Sequence, residues 1–150
     1  MGTVSSGVYP VYENQFKINT AGRVTGTDNM ASIADMESFS VSFDDNVEEW
    51  TPMTTEGWVR RLKTGKGITI SLNGKRHIGD TGNDYVAGLA WKSGQNCNSQ
   101  LEWNFPNGDK VLMDCVINVT AGGGDSTNVE PLEFECMSDG KPTFTEASSS

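Results

Sequence analysis

One histidine, His77, is all the imidazole this chain carries. No G-x-S-x-G element or other marked nucleophile accompanies it, so a Ser-His-Asp triad is unsupported and a non-enzymatic role is expected. The three cysteines, Cys97, Cys115 and Cys136, are odd in number and include no C-x-x-C pair. That argues against a disulfide scaffold and a zinc site, and no cofactor or metal is expected. Asp44, Asp45, Glu48 and Glu49 are acidic enough for calcium, but their spacing fits no EF-hand loop and lacks its turn glycine. Bases are scarce: eleven Lys and Arg against twenty Asp and Glu leave a net charge of −9. Tight binding to nucleic acid needs clustered bases that release counterions. Here the nearest cluster is Arg60, Arg61, Lys63 and Lys66, with Lys75 and Arg76 nearby, which reads as a solvated or subunit-contact face. No run of about 18 apolar residues occurs. Met1 to Tyr9 lacks the basic and apolar segments of a signal peptide, so synthesis in the cytosol is expected. Gly2 with Ser6 fits a myristoylation pattern and Asn118-Val119-Thr120 a glycosylation sequon, but neither has the context that would give it meaning.

What the chain does have is alternation at period two. From Val111 to Thr120, the residues Val111, Met113, Cys115, Ile117 and Val119 fall on one face; Leu112, Asp114, Val116, Asn118 and Thr120 fall on the other. Leu101, Trp103 and Phe105 alternate with Glu102 and Asn104, Leu132, Phe134 and Cys136 with Glu133 and Glu135, and Phe39, Val41 and Phe43 with Ser38, Ser40 and Ser42. These are half-buried antiparallel strands whose wet faces carry acids and no bases, so a surface they line repels phosphate. Cys115 and Cys136 fall in the apolar phase and read as small buried hydrophobes, whereas Cys97 lies in a polar loop.

A chain of 150 residues with 35% apolar content suits a single domain. Residues 1–14 and 146–150 are small, polar and unpatterned, and read as flexible arms. Shorter strands are expected at Phe16 to Ile18, Trp58 to Leu62 and Ile68 to Leu72. Asn73-Gly74 and Asn107-Gly108 both suit tight hairpins. One helix is expected from the capping oxygens of Asp80 and Thr81, with Tyr85, Val86, Leu89 and Ala90 as its apolar stripe and Gly94 ending it after Lys92. Tyr85, Leu89 and Trp91 then belong to core or interface. The glycine-rich segment from Ala121 to Asn128 lacks the lysine and the strand-loop-helix setting of a phosphate cradle.

Asp44 to Gly57 is long for a connection between strands. It mixes Asp44, Asp45, Glu48 and Glu49 with Val47, Trp50, Pro52 and Met53. Such a loop either folds back on its own domain or touches another protein. A rival reading is a carbohydrate-binding β-sandwich in which Trp50, Trp58 and Trp91 stack on a sugar.

Several segments together resemble one family. Phe39-Ser40-Val41-Ser42-Phe43-Asp44, Asn46-Val47-Glu48-Glu49-Trp50 and Glu56-Gly57-Trp58 with Arg60-Arg61 and Thr64-Gly65-Lys66 are followed by Gly79-Asp80-Thr81-Gly82-Asn83-Asp84-Tyr85-Val86-Ala87-Gly88-Leu89-Ala90. Asn118-Val119-Thr120, Gly123-Gly124-Asp125-Ser126-Thr127-Asn128 and Met137-Ser138-Asp139-Gly140-Lys141-Pro142-Thr143-Phe144-Thr145 complete the set. Their order over Phe16 to Thr145 resembles the tail tube, or major tail, proteins of long-tailed bacteriophages and related prophages.

The resemblance implies a mainly β fold of two packed antiparallel sheets with one flanking helix. It further implies hexameric rings stacked into a hollow virion tail tube that conducts DNA without binding it. Partners would be further copies of the chain, a tape measure protein and tail terminator or tip proteins. By the same resemblance the lumen strands are Phe39 to Phe43, the strand around Trp58 to Leu62, Leu101 to Phe105 and Val111 to Thr120. Ser40, Ser42, Glu102, Asn104, Asp114 and Asn118 would face the pore, with Glu133 and Glu135 turned outward. Asp44, Asp45, Val47, Glu48, Glu49, Trp50, Pro52 and Met53 would form a loop reaching the neighbouring ring.

Overall fold

The computed structural model describes residues 6–23 and 29–146; expectations placed on Gly2 and on residues 147–150 lie outside them. In chain order the strands are β1 (Gln15–Asn19), β2 (Met30–Ser32), β3 (Met36–Phe43), β4 (Asn46–Trp50), β5 (Arg60–Gly65), β6 (Ile68–Lys75), β7 (Asn98–Asn104), β8 (Lys110–Ala121), β9 (Pro131–Ser138) and β10 (Thr143–Thr145). The helix α1 (Thr81–Gly88) falls between β6 and β7. Eight strands form one sheet in the order β2-β1-β7-β8-β9-β6-β3, with β10 beside β8, and β4 and β5 form a second sheet of their own. All pairings are antiparallel. The mainly β fold of two antiparallel sheets with one helix is the one expected.

The large sheet folds over on itself. Phe16 of β1 and Phe39 of β3 stand five places apart in the strand order, yet their rings meet edge to face at 4.8 Å, and Trp103 of β7 stacks on Phe16 at 5.7 Å. Two leaves therefore face each other across the core: β2-β1-β7 with the first half of β8, and the second half of β8 with β9-β6-β3. The alternation read from the sequence supplies the filling. Ile18, Leu101, Met113, Cys115, Ile117, Ile70, Leu72, Leu132, Phe134 and Cys136 are all buried, and Val86 and Leu89 from the helical region join them. Burial pushes the Cys136 thiol well above its ordinary range, so it is not poised to react. Cys97, expected in a polar loop, is instead buried in a 3-10 turn, where its Sγ lies 3.3 Å from the carbonyl of Lys92.

Asn107-Gly108 makes the expected β7–β8 turn. Gly108 adopts a φ of 96°, and the Asn107 side-chain carbonyl accepts from the Asp109 amide at 3.0 Å. Asn73-Gly74 does not turn; both residues lie inside β6. Gly74 is needed there for close approach, since a Cβ would stand 2.3 Å from the Asp35 carbonyl oxygen and 2.6 Å from Met36 Cα, where β3 starts with a bulge. The helix also stops early. It ends at Gly88, a 3-10 turn from Leu89 to Trp91 follows, and Trp91 is 91% exposed rather than core.

A fully buried amide, Asn83, fixes the helix to the sheet. Its Oδ1 accepts from Arg76 Nη1 at 2.9 Å and from the His77 amide at 3.0 Å, while its Nδ2 donates to the carbonyls of Ala34 at 3.1 Å and Lys75 at 2.9 Å. Asp80 caps α1 by accepting from the Asn83 amide at 3.0 Å and ties down the Ala34 amide at the same distance. Around this clamp Arg76 Nη1 pairs with Asp84 at 2.7 Å, and that hydrogen bond holds the Asp84 carboxyl below its ordinary range. His77 Nδ1 bonds Asp35, the largest cause of an imidazole pKa above the usual value. Asn83→Ala strands several buried partners at ~1–3 kcal/mol each. We expect it to cost about 3 kcal/mol, lowering the melting temperature in a thermal scan by about 10 °C.

Candidate functional site

No concave centre gathers reactive groups; the unusual features are two surfaces. Among the described residues, no group of three or more His, Cys, Asp or Glu is placed to hold a metal ion, and no helix is long and apolar enough to cross a membrane.

The first surface is the outer face of the β8-β9-β6-β3 leaf. Strand register sets Ser40 opposite Ser71, Ser71 opposite Glu135 and Glu135 opposite Asn118, while Ser42 faces Thr69 and Ser38 and Glu133 both face Asn73. Side chains directly opposite in a ladder share a face, so these residues form one sheet of hydroxyls, amides and two carboxylates. Of the six positions expected to face a pore, the structure brings together Ser40, Ser42 and Asn118. It places Glu102, Asn104 and Asp114 on the outer face of the other leaf, which the fold-over turns away from the first. Glu133 and Glu135, expected to look elsewhere, belong with Ser40 and Asn118. The sequence showed each strand's phase but not which strands were neighbours, and neighbourhood decides the grouping.

The two outer faces differ electrostatically. On the second, Glu102 is only 8% exposed and pairs with Lys110 at 3.1 Å, and Lys17 stands opposite it on β1. Asp114 is exposed and accepts from Gln100 Nε2 at 3.0 Å. The expectation of wet faces without bases therefore fails on this leaf, because β1 and the start of β8 contribute lysines. On the first leaf the base at the margin, Lys75, pairs with Glu37 at 2.9 Å, and no salt bridge among the described residues involves Glu133 or Glu135.

The second surface is an arm. Asp44 to Gly57 was expected to be a loop joining a strand at Trp58 to Leu62; instead β4 and β5 pair as a hairpin, with Trp50 opposite Arg60 and Glu49 opposite Arg61. The cause is the cross-strand match: Arg61 Nε bonds Glu49 at 2.9 Å, the Arg60 guanidinium lies over the Trp50 ring at 5.7 Å, and Lys63 pairs with Asp45 at 2.8 Å. At the root, the Asp44 amide donates to the Gly67 carbonyl at 2.8 Å and the Thr69 hydroxyl donates to the Asp44 carboxylate at 2.8 Å. At the tip, a 3-10 turn at Met53–Thr55 is followed by left-handed Glu56 and Gly57. β5 is thus not part of the large sheet, which removes the Trp58 to Leu62 segment from any face the sheet lines. Pro52 is half-buried and precedes the tip turn. Val47, Trp50, Met53, Trp58, Val59 and Leu62 are all exposed, Met53 at 98% and Trp58 at 78%. A run of apolar side chains on a two-stranded ribbon gains nothing by facing water. Trp91 lies at the far end of β6 from the arm, in a cleft with Arg76 and Pro131, so it makes no platform with Trp50 and Trp58.

Among the described residues, the large sheet also ends in unpaired edges at β3 and β2. β3 is the long one, with 8 residues whose outward amides and carbonyls have no strand beside them among the described residues. Residues 6–14 carry one 3-10 turn at Val11–Glu13 with Tyr12 at 78% exposure, and they anchor at Asn14, whose Oδ1 accepts from Trp103 Nε1 at 3.0 Å.

With both surfaces defined, comparison with known proteins places the architecture. The tail of an empty gene transfer agent particle, solved by helical refinement with C6 symmetry, superposes at a TM-score of 0.74 with 18% identity, over 93% of this chain and 100% of that one. The chain has the fold of that tail. The virion of a native gene transfer agent particle gives 0.73 at 17% identity, again over 93% of this chain and 100% of the other. At these identities the likeness is one of fold. No protein-family model matches the chain. No curated protein matches it either.

Proposed function

We propose that this chain is the repeating subunit of a phage-like tail tube. Copies close into rings through the free edges of their sheets and stack through the arm. The outer face of the β8-β9-β6-β3 leaf lines a bore through which DNA passes unbound. The observation that carries this reading is the coexistence, on a fold seen in a C6 tail, of a long unpaired edge and an apolar arm. Each is a liability on a solitary molecule, and each is relieved by another copy. The bore face carries Ser38, Ser40, Ser42, Ser71, Asn118, Glu133 and Glu135. Even weak attraction per phosphate, summed along a channel, would hold a duplex in place, so small polar groups and carboxylates suit passage.

The protein then acts in the virion tail after synthesis in the host cytoplasm. It binds no cofactor, and its partners are copies of itself, a tape measure protein within the bore and terminator or tip proteins at the ends. Negative-stain microscopy of the purified protein, with a count of ring symmetry, tests the proposal: sixfold rings or tubes are expected. A monomer at every concentration, with sugar-dependent tryptophan fluorescence, would refute it in favour of a carbohydrate-binding module.

A further inference from the structure

At the root of the arm lies a cleft of about 540 Å³ lined by Phe43, Asp45, Lys63, Lys66, Gly67, Ile68, Ser138, Gly140, Lys141 and Pro142. Its floor is apolar, and Phe43 is 67% exposed although it ends a core strand. Its charge is positive on balance. Lys63 is neutralised by Asp45 at 2.8 Å, but among the described residues no salt bridge involves Lys66 or Lys141. The distal part of the arm is the converse. Arg61 is matched by Glu49 and Arg60 lies over Trp50, whereas Glu56, in the tip between the exposed Met53 and Trp58, pairs with no base among the described residues.

Length supports a match between the two. Asp44 to Met53 spans at most about 30 Å at ~3.3 Å per residue, and the body strand β6 spans roughly 26 Å. A copy displaced along the arm by about one body length therefore brings its own root cleft level with the tip below. A contact between different patches of identical molecules repeats without closing, which is how rings become a stack.

We propose that the root cleft receives the arm tip of the next copy. Met53 and Trp58 rest on Phe43, Ile68 and Pro142, and Glu56 faces Lys66 and Lys141. This rests on the stacking reading above and names the seat that the arm occupies. The test is a charge swap read by the fraction of protein pelleted as polymer. Lys66→Glu with Lys141→Glu, or Glu56→Lys, should each lower that fraction at least tenfold. The chain carrying all three changes should return to within about twofold of the unmodified protein. Circular dichroism on each variant confirms that these exposed positions leave the fold intact.

Independently, Glu56→Cys with Lys141→Cys should give a ladder of covalent multimers when preformed polymer is oxidised with copper phenanthroline, because the native thiols are buried. Normal polymer from either reversal, no recovery in the threefold variant, or no ladder overturns the seat while leaving the tube reading in place. An unmodified protein that never polymerises overturns both.

Discussion

Replacing residues 46–64 by an Asn-Gly turn should yield a well-folded protein that forms no tubes. The arm contributes no side chain to the buried core, and its strands pair only with each other. The contacts that hold its root, from the Asp44 amide to Gly67 and from Thr69 to the Asp44 carboxylate, lie outside the excised stretch. Two-stranded ribbons have marginal stability of their own. The melting temperature should therefore move by less than about 4 °C, equivalent to ~1 kcal/mol for a chain of this size. Polymerisation should be abolished, because the exposed Val47, Trp50, Met53, Trp58, Val59 and Leu62 go with the arm. Sedimentation velocity would show nothing larger than a single ring, and long tubes in micrographs of the shortened protein would refute the arm's part in stacking.

The second large effect concerns the bore. Glu133→Lys with Glu135→Lys should leave tube yield and diameter unchanged yet lower genome delivery per particle at least tenfold in virions built from the variant. Both glutamates stand on the polar leaf, paired in register with Asn73 and with Ser71 and Asn118, and every ring repeats the change. The proposed lining, which repels phosphate, becomes one that gathers it, and the cost of moving the duplex accumulates along its length. Asp114→Lys is the matched control: it lies on the other leaf, beside Gln100, and should leave delivery within about twofold of normal. Equal delivery by the glutamate double variant, or a larger defect from Asp114→Lys, would reassign the face that lines the channel.

Much of the architecture was legible in the sequence because it is written at period two. The alternating faces of β7, β8 and β9 named Leu101, Met113, Cys115, Ile117, Leu132, Phe134 and Cys136 as core correctly, while Phe43 at the end of β3 is exposed and Phe105 and Val111 lie outside the core. The Asn107-Gly108 turn gave one pairing outright. What stayed hidden depended on neighbours distant in sequence. Asn73-Gly74 has the composition of a turn, but its glycine serves an approach by Asp35 and Met36 that local reading cannot reveal. The β4–β5 pairing was obscured because its residues are polar and apolar without alternation. A hairpin exposed on both faces has no core face to impose a pattern; the signal that could have found it is the charge complement of Glu49 and Asp45 with Arg61 and Lys63. The clamp at Asn83 escaped for a similar reason, since a buried asparagine looks in sequence like any loop polar residue. The grouping of Glu135 with Ser40, and the placing of Glu102 on the other leaf, follow from strand order, which periodicity does not encode.

One strand, β8, runs through both leaves of the folded sheet, pairing with β7 along its first half and with β9 along its second. Two separate sheets pressed together can slip along their greasy seam when pulled. Here slippage would have to stretch a continuous polypeptide that crosses from one layer to the other, so tension on either layer is carried by covalent bonds and ladder hydrogen bonds before any core side chain must give.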